Sequence, residues 1–242
     1  MCNVHFPAIA LGLALLFAPG FAEAGNITGK VTFEGPAPEM KPIALSADAS
    51  CVAMHTDKPL LSEVLVLGEG QSMANVLVSV TAGLPEKDYP LPSEPVVLTQ
   101  EGCRYAPHVI GIRVGQTLRV LNPDGLLHNV HSAPKSNTPL NKAMPKDLLE
   151  LETVFDKQEE PFPFKCDIHP WMQAWCAVFD HPYFSVTGAD GTFAITGLDP
   201  GDYEITAWHE RLGKRTATVT VAEATDANAG FVFSKTPPAS PK

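Results

Sequence analysis

Apolar and polar positions alternate in short runs along most of this chain. "ITGKVTFEG" (27–35), "EVLVLGEG" (63–70), "NVLVSVT" (75–81) and "PVVLTQ" (95–100) carry β-branched residues in a strand-like pattern. "VIGIRVGQTLRVLN" (109–122) predicts two strands with a turn at Gly115-Gln116. "ETVFD" (152–156), "WCAVFD" (175–180), "GTFAITGL" (191–198), "DYEITAW" (202–208), "ATVTVA" (217–222) and "GFVFS" (230–234) continue the series, and "GADGTF" supplies an Asp-Gly turn. Only "KAMPKDLLELE" (142–152) reads as a helix, and Pro145 interrupts it. No repeat of solenoid length occurs. The pattern predicts an all-β fold.

Composition sharpens this. Twenty-three prolines and eighteen glycines punctuate the runs, as frequent turns require. A 45% apolar content over 242 residues suffices for a real core in one or two domains. Residues 1–24 read as a secretory leader. Their apolar run, "AIALGLALLF" (8–17), is too short to span a bilayer, and Ala22-Glu23-Ala24 offers a small-x-small cleavage site, although no Lys or Arg precedes the run. The mature chain is therefore expected to be exported, periplasmic or extracellular, with no membrane span after cleavage. Losing Glu23 and no base takes the formal charge from −10 to −9, which disfavours nucleic-acid binding. Residues 235–242 are Pro/Ser-rich and predicted to be disordered.

Four cysteines remain after the leader: Cys51, Cys103, Cys166 and Cys176. Outside the cytoplasm disulfides persist. Cys51 and Cys103 lie in polar, loop-like stretches and are the disulfide candidates, while four cysteines allow three complete pairings, so the choice stays open. Cys176, in "AWCAVF", reads as a buried free thiol.

Candidate chemistry gathers in "KCDIHPWM" (165–172), where a thiolate, an imidazole and a thioether recur at every third position. These are soft and borderline donors suited to copper. An electron-transfer copper site needs a second imidazole, and "NPDGLLHNVH" (122–131) offers His128 and His131. An odd spacing turns those two rings to opposite faces of an extended segment. Zinc would want a closed tetrahedral set, with Cys166, His169, Cys176 and one more ligand; the apolar setting of Cys176 argues against it. The stretch lacks the second cysteine that c-type haem attachment requires. The remaining reading is a packed core beside a surface histidine.

"CDIHPWM" resembles the copper loop of the cupredoxins, the type 1 blue copper family of the amicyanin and plastocyanin kind. "NPDGLLHNVH" resembles the family's first histidine segment, "VIGIRVGQTLRVLN" the strand pair before it, and "MQAWCAVFD" its last strand. The resemblance covers roughly residues 95–180. It implies a Greek-key β-sandwich holding one mononuclear type 1 copper. His128, Cys166, His169 and Met172 would be its ligands, and Asn129 would brace the site. His131 has no counterpart in that set.

"TGADGTFAITGLDPGDYEITAWH" resembles the carboxypeptidase-regulatory-like, transthyretin-like β-sandwich, whose first half is matched by "ITGKVTFEGPAP" and "ANVLVSV". This implies one sandwich from 25–94 and 183–234 with the cupredoxin domain, 95–182, nested in it. Two consecutive domains is the alternative. An exported electron carrier follows, not an enzyme. Its redox partner is expected to dock near an exposed His169, rimmed by Trp171, Leu126 and Leu127. Copper storage, sensing or delivery is the second reading. An envelope interaction or carbohydrate-contact module is the third.

Elsewhere, His181 and His209 are a candidate second metal site with Glu210, against the commoner structural histidine. "CVAMH" (51–55) reads as a disulfide beside a surface histidine, and "QEE" (158–160) as a solvated charge run. No Ser-His-Asp spacing or paired carboxylates stand in a catalytic context.

Overall fold

A computed structural model describes residues 24–45 and 48–235; the predicted leader, Ala24 aside, and most of the predicted tail lie outside them. The strands are β1 (Gly25–Glu34), β2 (Leu77–Ala82), β3 (Val96–Gln100), β4 (Tyr105–Ala106), β5 (Val109–Arg113), β6 (Thr117–Leu121), β7 (His128–Ser132), β8 (Asn141–Met144) and β9 (Glu150–Val154). They continue as β10 (Glu159–Lys165), β11 (Gln173–Phe179), β12 (Phe184–Val186), β13 (Thr192–Leu198), β14 (Gly201–His209), β15 (Gly213–Val221), β16 (Ala227–Asn228) and β17 (Phe231–Ser234). One short helix, α1 (Ala49–Ala53), precedes β2. The described residues are all-β, in four sheets. No helix among the described residues is long and apolar enough to cross a membrane.

Strands from the middle of the chain pair among themselves, in the sheets β5-β11-β10-β7-β8 and β4-β3-β6-β9. Between them lies a core of Leu98, Ile112, Leu118, Val120 and Val130, with Phe155, Phe162 and Phe164. The chain ends form a second sandwich. There β1 pairs with β13, β16 and β17, and β2 with β12 and β14. Ile27, Val31 and Phe33 of β1 alternate inward against Val78, Val80, Ile205 and Phe231. At Gly29 β1 runs so close to a neighbouring segment that a Cβ would sit 1.7 Å from the Ala229 carbonyl oxygen.

The two sandwiches share a joint. Leu77, Val109, Ala177 and Phe179 form its apolar centre, flanked by Trp175, Phe184 and Trp208. Glu210 is buried there, accepting from His108 Nε2 at 2.5 Å and from Trp175 Nε1 at 3.0 Å. Arg113 donates to the carbonyls of Tyr89, Pro90 and Asp180.

Three local expectations fail. Residues 63–70 form no strand: Leu67 makes a single bridge to Met73, and the chain turns through Glu69–Gln71, with Gly70 at φ 63°. The helical patch 142–152 is instead β8, a turn and β9, because Met144 pairs opposite His128 and Leu121 opposite Glu150. "QEE" is a solvated run only at Gln158 and Glu160, which are exposed. Glu159 is buried, accepts from the N–H groups of Lys135, Ser136 and Asn137, and lies in a strand that two prolines had disguised. β7 pairs with that strand only at Phe164 and Lys165, beyond both prolines.

Candidate metal centre

The site is assembled by a hairpin and its neighbour. β10 and β11 are antiparallel, Lys165 opposite Gln173, so the seven residues between them form the loop. Cys166 N–H donates to the Met172 carbonyl at 3.3 Å, and Met172 N–H to that of His169 at 2.9 Å. Cysteine and methionine thus stand at the loop's two feet with the histidine between. β7 lies on the other side of β10, with His131 opposite Lys165, which brings His128 against Cys166. The turn before β7 depends on Gly125 at φ 65° and on buried Asn122, whose amide donates to the Leu126 and Met144 carbonyls. Tyr105 Oη donates to the Asn129 carbonyl at 2.5 Å and lies 3.1 Å from that of Lys165, tying the two strands together.

His128, Cys166, His169 and Met172 are all buried, none more than 2% exposed. His128 Nδ1 lies 3.0 Å from His169 Nδ1, and Cys166 Sγ lies 3.9 Å from the latter. The three donors fall within 4.8 Å of one another. The 3.0 Å and 3.9 Å separations are within the span of one ion that bonds nitrogen at about 2 Å and sulfur at about 2.3 Å. Each ring's far nitrogen meets a carboxylate: Nε2 of His128 donates to Asp124 at 2.9 Å, and Nε2 of His169 to Asp48 at 3.2 Å. Because carboxylates only accept, each Nε2 carries a proton, and both Nδ1 atoms face inward, where a cation can take the place of the proton shared between them.

The electrostatics follow. Burial pushes the Cys166 thiol up, but hydrogen bonds from His128 and from the backbone N–H groups of His169, Ile168 and Asn129 hold it below its ordinary value. Burial would lower His128; its bonds to Asp124 and Cys166 prevail and raise it to about 9 in the metal-free protein. Asn129 braces both partners: its N–H donates to Cys166 Sγ at 3.3 Å, and its Oδ1 accepts from Asp167 N–H at 3.2 Å. The chemistry of this set fits copper. Two imidazole nitrogens and a thiolate converge, and a thioether closes the loop beside them.

The remaining expectations resolve one by one. His131 turns to Asp167 at 2.8 Å and stays outside the cluster. Cys51 and Cys103 form a disulfide, and His55 Nε2 bonds the Gly102 carbonyl. Cys176 is a buried free thiol, belongs to none of the metal-capable groups among the described residues, and is raised by burial. The second site fails: His181 and His209 each spend Nδ1 on a backbone N–H two residues on, of Tyr183 and Arg211, and belong to no metal-capable group. Glu210 is taken by His108 and Trp175.

His169 is not exposed. It is 1% accessible, under Asp48. Trp171 is half-buried against Leu45, Cys51, Leu60 and Cys103, and its Nε1 donates to the Cys103 carbonyl at 2.9 Å. Of the expected rim, Trp171 and Leu126 pack against the cluster that includes the chain's own earlier segment, while Leu127 stays exposed. Asp48, Tyr105 and His108 escaped sequence reasoning, since nothing near them in the chain marks their partners. Asp124 carried one signal, four residues before His128.

No family model and no curated relative matches the chain. Among solved structures it is similar to a Cu-containing nitrite reductase from Thermus scotoductus, with 21% identity over 42% of this chain and a TM-score of 0.33, and it spans 25% of that enzyme. It is similar to a purple cupredoxin from Nitrosopumilus maritimus, with 21% identity over 35% of this chain and 99% of that one, TM-score 0.30. Amicyanin from Paracoccus versutus matches at 24% identity over 42% of this chain and 97% of that one, TM-score 0.31. At these scores, what the site can hold follows from its own donor atoms.

Proposed function

We propose that this chain is an exported electron carrier with one mononuclear copper site in its central sandwich. The carrying observation is the inward convergence of His128 Nδ1, His169 Nδ1 and Cys166 Sγ, with both far nitrogens held by carboxylates. His128, His169 and Cys166 would hold the metal, with Met172 as the weak fourth ligand. Copper, when bound, supplies a one-electron Cu(I)/Cu(II) couple. The protein holds the donors in one arrangement through the β7–β10 ladder, Tyr105 and Asn129, so a change of oxidation state meets little movement. Burial of the whole set supports retention of the metal over delivery.

With Trp171 and His169 covered, a redox partner is better placed at Leu127 and Ile168, which flank the ligands in sequence and are 48% and 40% exposed. The sandwich of the chain ends, read as carboxypeptidase-regulatory-like, remains an accessory in this proposal. A cleft of about 1160 Å³ between the sandwiches, lined by Tyr89, Arg113, His181 and Trp208, favours a contact role for it as a second reading.

Visible and EPR spectra of the copper-loaded mature protein test the proposal. Intense blue, green or purple colour with reversible voltammetry supports it. A colourless protein that takes zinc instead overturns it.

A further inference from the structure

His169 lies mid-loop, and no strand ladder fixes its ring. What faces its outer edge is Asp48, 121 residues away in the chain, whose Oδ2 accepts from Nε2 at 3.2 Å. Asp48 is itself anchored. Its Oδ1 accepts the N–H groups of Ser50, at 2.7 Å, and Cys51, at 3.3 Å, which makes it the N-cap of α1. A five-residue helix has no stability of its own. It stays because Cys51 is bonded to Cys103 and packed with Leu45 and Leu60. Cys103 closes the circuit. Its N–H donates to Asp124, which holds His128, and its carbonyl accepts from Trp171, whose ring stands 5.1 Å from that of His169.

Building on the copper reading, we propose that Asp48 is a positioning residue that keeps His169 with Nδ1 turned inward, and that the Cys51–Cys103 disulfide clamps it there, closing the site to small molecules. The physical case has two parts. An acceptor-only carboxylate selects the Nε2–H tautomer, which leaves Nδ1 as the ligating atom. The crosslink spans 52 residues, so without it the segment carrying Asp48 has far more conformational freedom to leave.

The closing experiment uses Asp48→Asn in the full mature chain. Asparagine caps a helix as well as aspartate does, so Oδ1 keeps its bonds to Ser50 and Cys51. Its amide then sets a donor against the Nε2–H donor of His169. A variant lacking the disulfide, Cys51→Ser with Cys103→Ser, is the second arm. In metal-free protein, iodoacetamide modification of Cys166, mapped by mass spectrometry, is expected to be several-fold faster in both variants than in the native chain, with the unfolding midpoint of Asp48→Asn unchanged. In copper-loaded protein, metal loss to a Cu(I)-selective chelator is expected to be about tenfold faster or more. If the disulfide-free variant does not fold, Asp48→Asn decides alone. An intensely coloured native protein whose Cys166 reactivity and copper loss match those of Asp48→Asn overturns the clamp and leaves the copper reading standing. A colourless native protein overturns the copper reading, and Cys166 modification still decides whether Asp48 closes the pocket.

Discussion

Two buried regions of this molecule are built around histidine, and they use it in opposite ways. In the central sandwich, His128 and His169 each commit Nε2 to a carboxylate and turn Nδ1 toward a thiol. At the joint, His108 commits both nitrogens, Nδ1 to the Gln173 carbonyl and Nε2 to Glu210. His181 and His209 each accept a backbone N–H at Nδ1 and share no hydrogen-bond partner among the described residues. A buried imidazole is available to a metal only when one nitrogen stays uncommitted and is aimed at other donors. The two free thiols among the described residues repeat the lesson. Cys166 is surrounded by N–H donors and lowered, whereas Cys176, ten residues on in an apolar core, is raised by burial alone.

The comparison breaks most completely at the thiols. Cys166→Ser is expected to abolish the visible band of the copper-loaded protein outright, and absorbance titration with Cu(II) checks it. At the joint, Glu210→Ala strands His108 and the Trp175 indole N–H; it is expected to cost about 4 kcal/mol in urea unfolding while the colour persists. His209 sharpens the contrast through pH. Burial lowers it to about 4, so the unfolded chain binds the extra proton first as pH falls. Its contribution, about 3 kcal/mol, is fully present above about pH 6.5 and is lost as pH falls through about 4. Denaturation curves at stepped pH, with and without His209→Phe, measure this. A pH slope that survives the substitution would sink it. The smallest effect is Cys176→Ala, which removes a buried sulfur; it is expected to cost about 1 kcal/mol and leave the spectrum unchanged.

Much of the fold was legible because its strands alternate. β1, β3, β5, β6, β11, β13, β14, β15 and β17 each announce themselves by period-two patterning. β10 did not, since Pro161 and Pro163 read as loop until a neighbouring strand shows which side is unpaired. β8 was hidden by a short apolar spacing that mimics a helix, and its pairing with β7 overrode that local preference. In the candidate site, the loop ligands were visible because Cys166, His169 and Met172 sit within seven residues, and His128 because it follows a strand and a turn. Asp48 and Tyr105 were not, because each reaches the site across dozens of residues.

By itself, then, the sequence determined which donor atoms exist, that they belong to an all-β chain, and that three of them share one short loop. Local spacing and side-chain chemistry suffice for that. That His131 turns away, that His181 and His209 form no metal-capable group with Glu210, and that His169 lies under Asp48 instead of facing solvent were settled by the tertiary structure. Those outcomes depend on strand register and on a disulfide between distant segments, which no local pattern encodes.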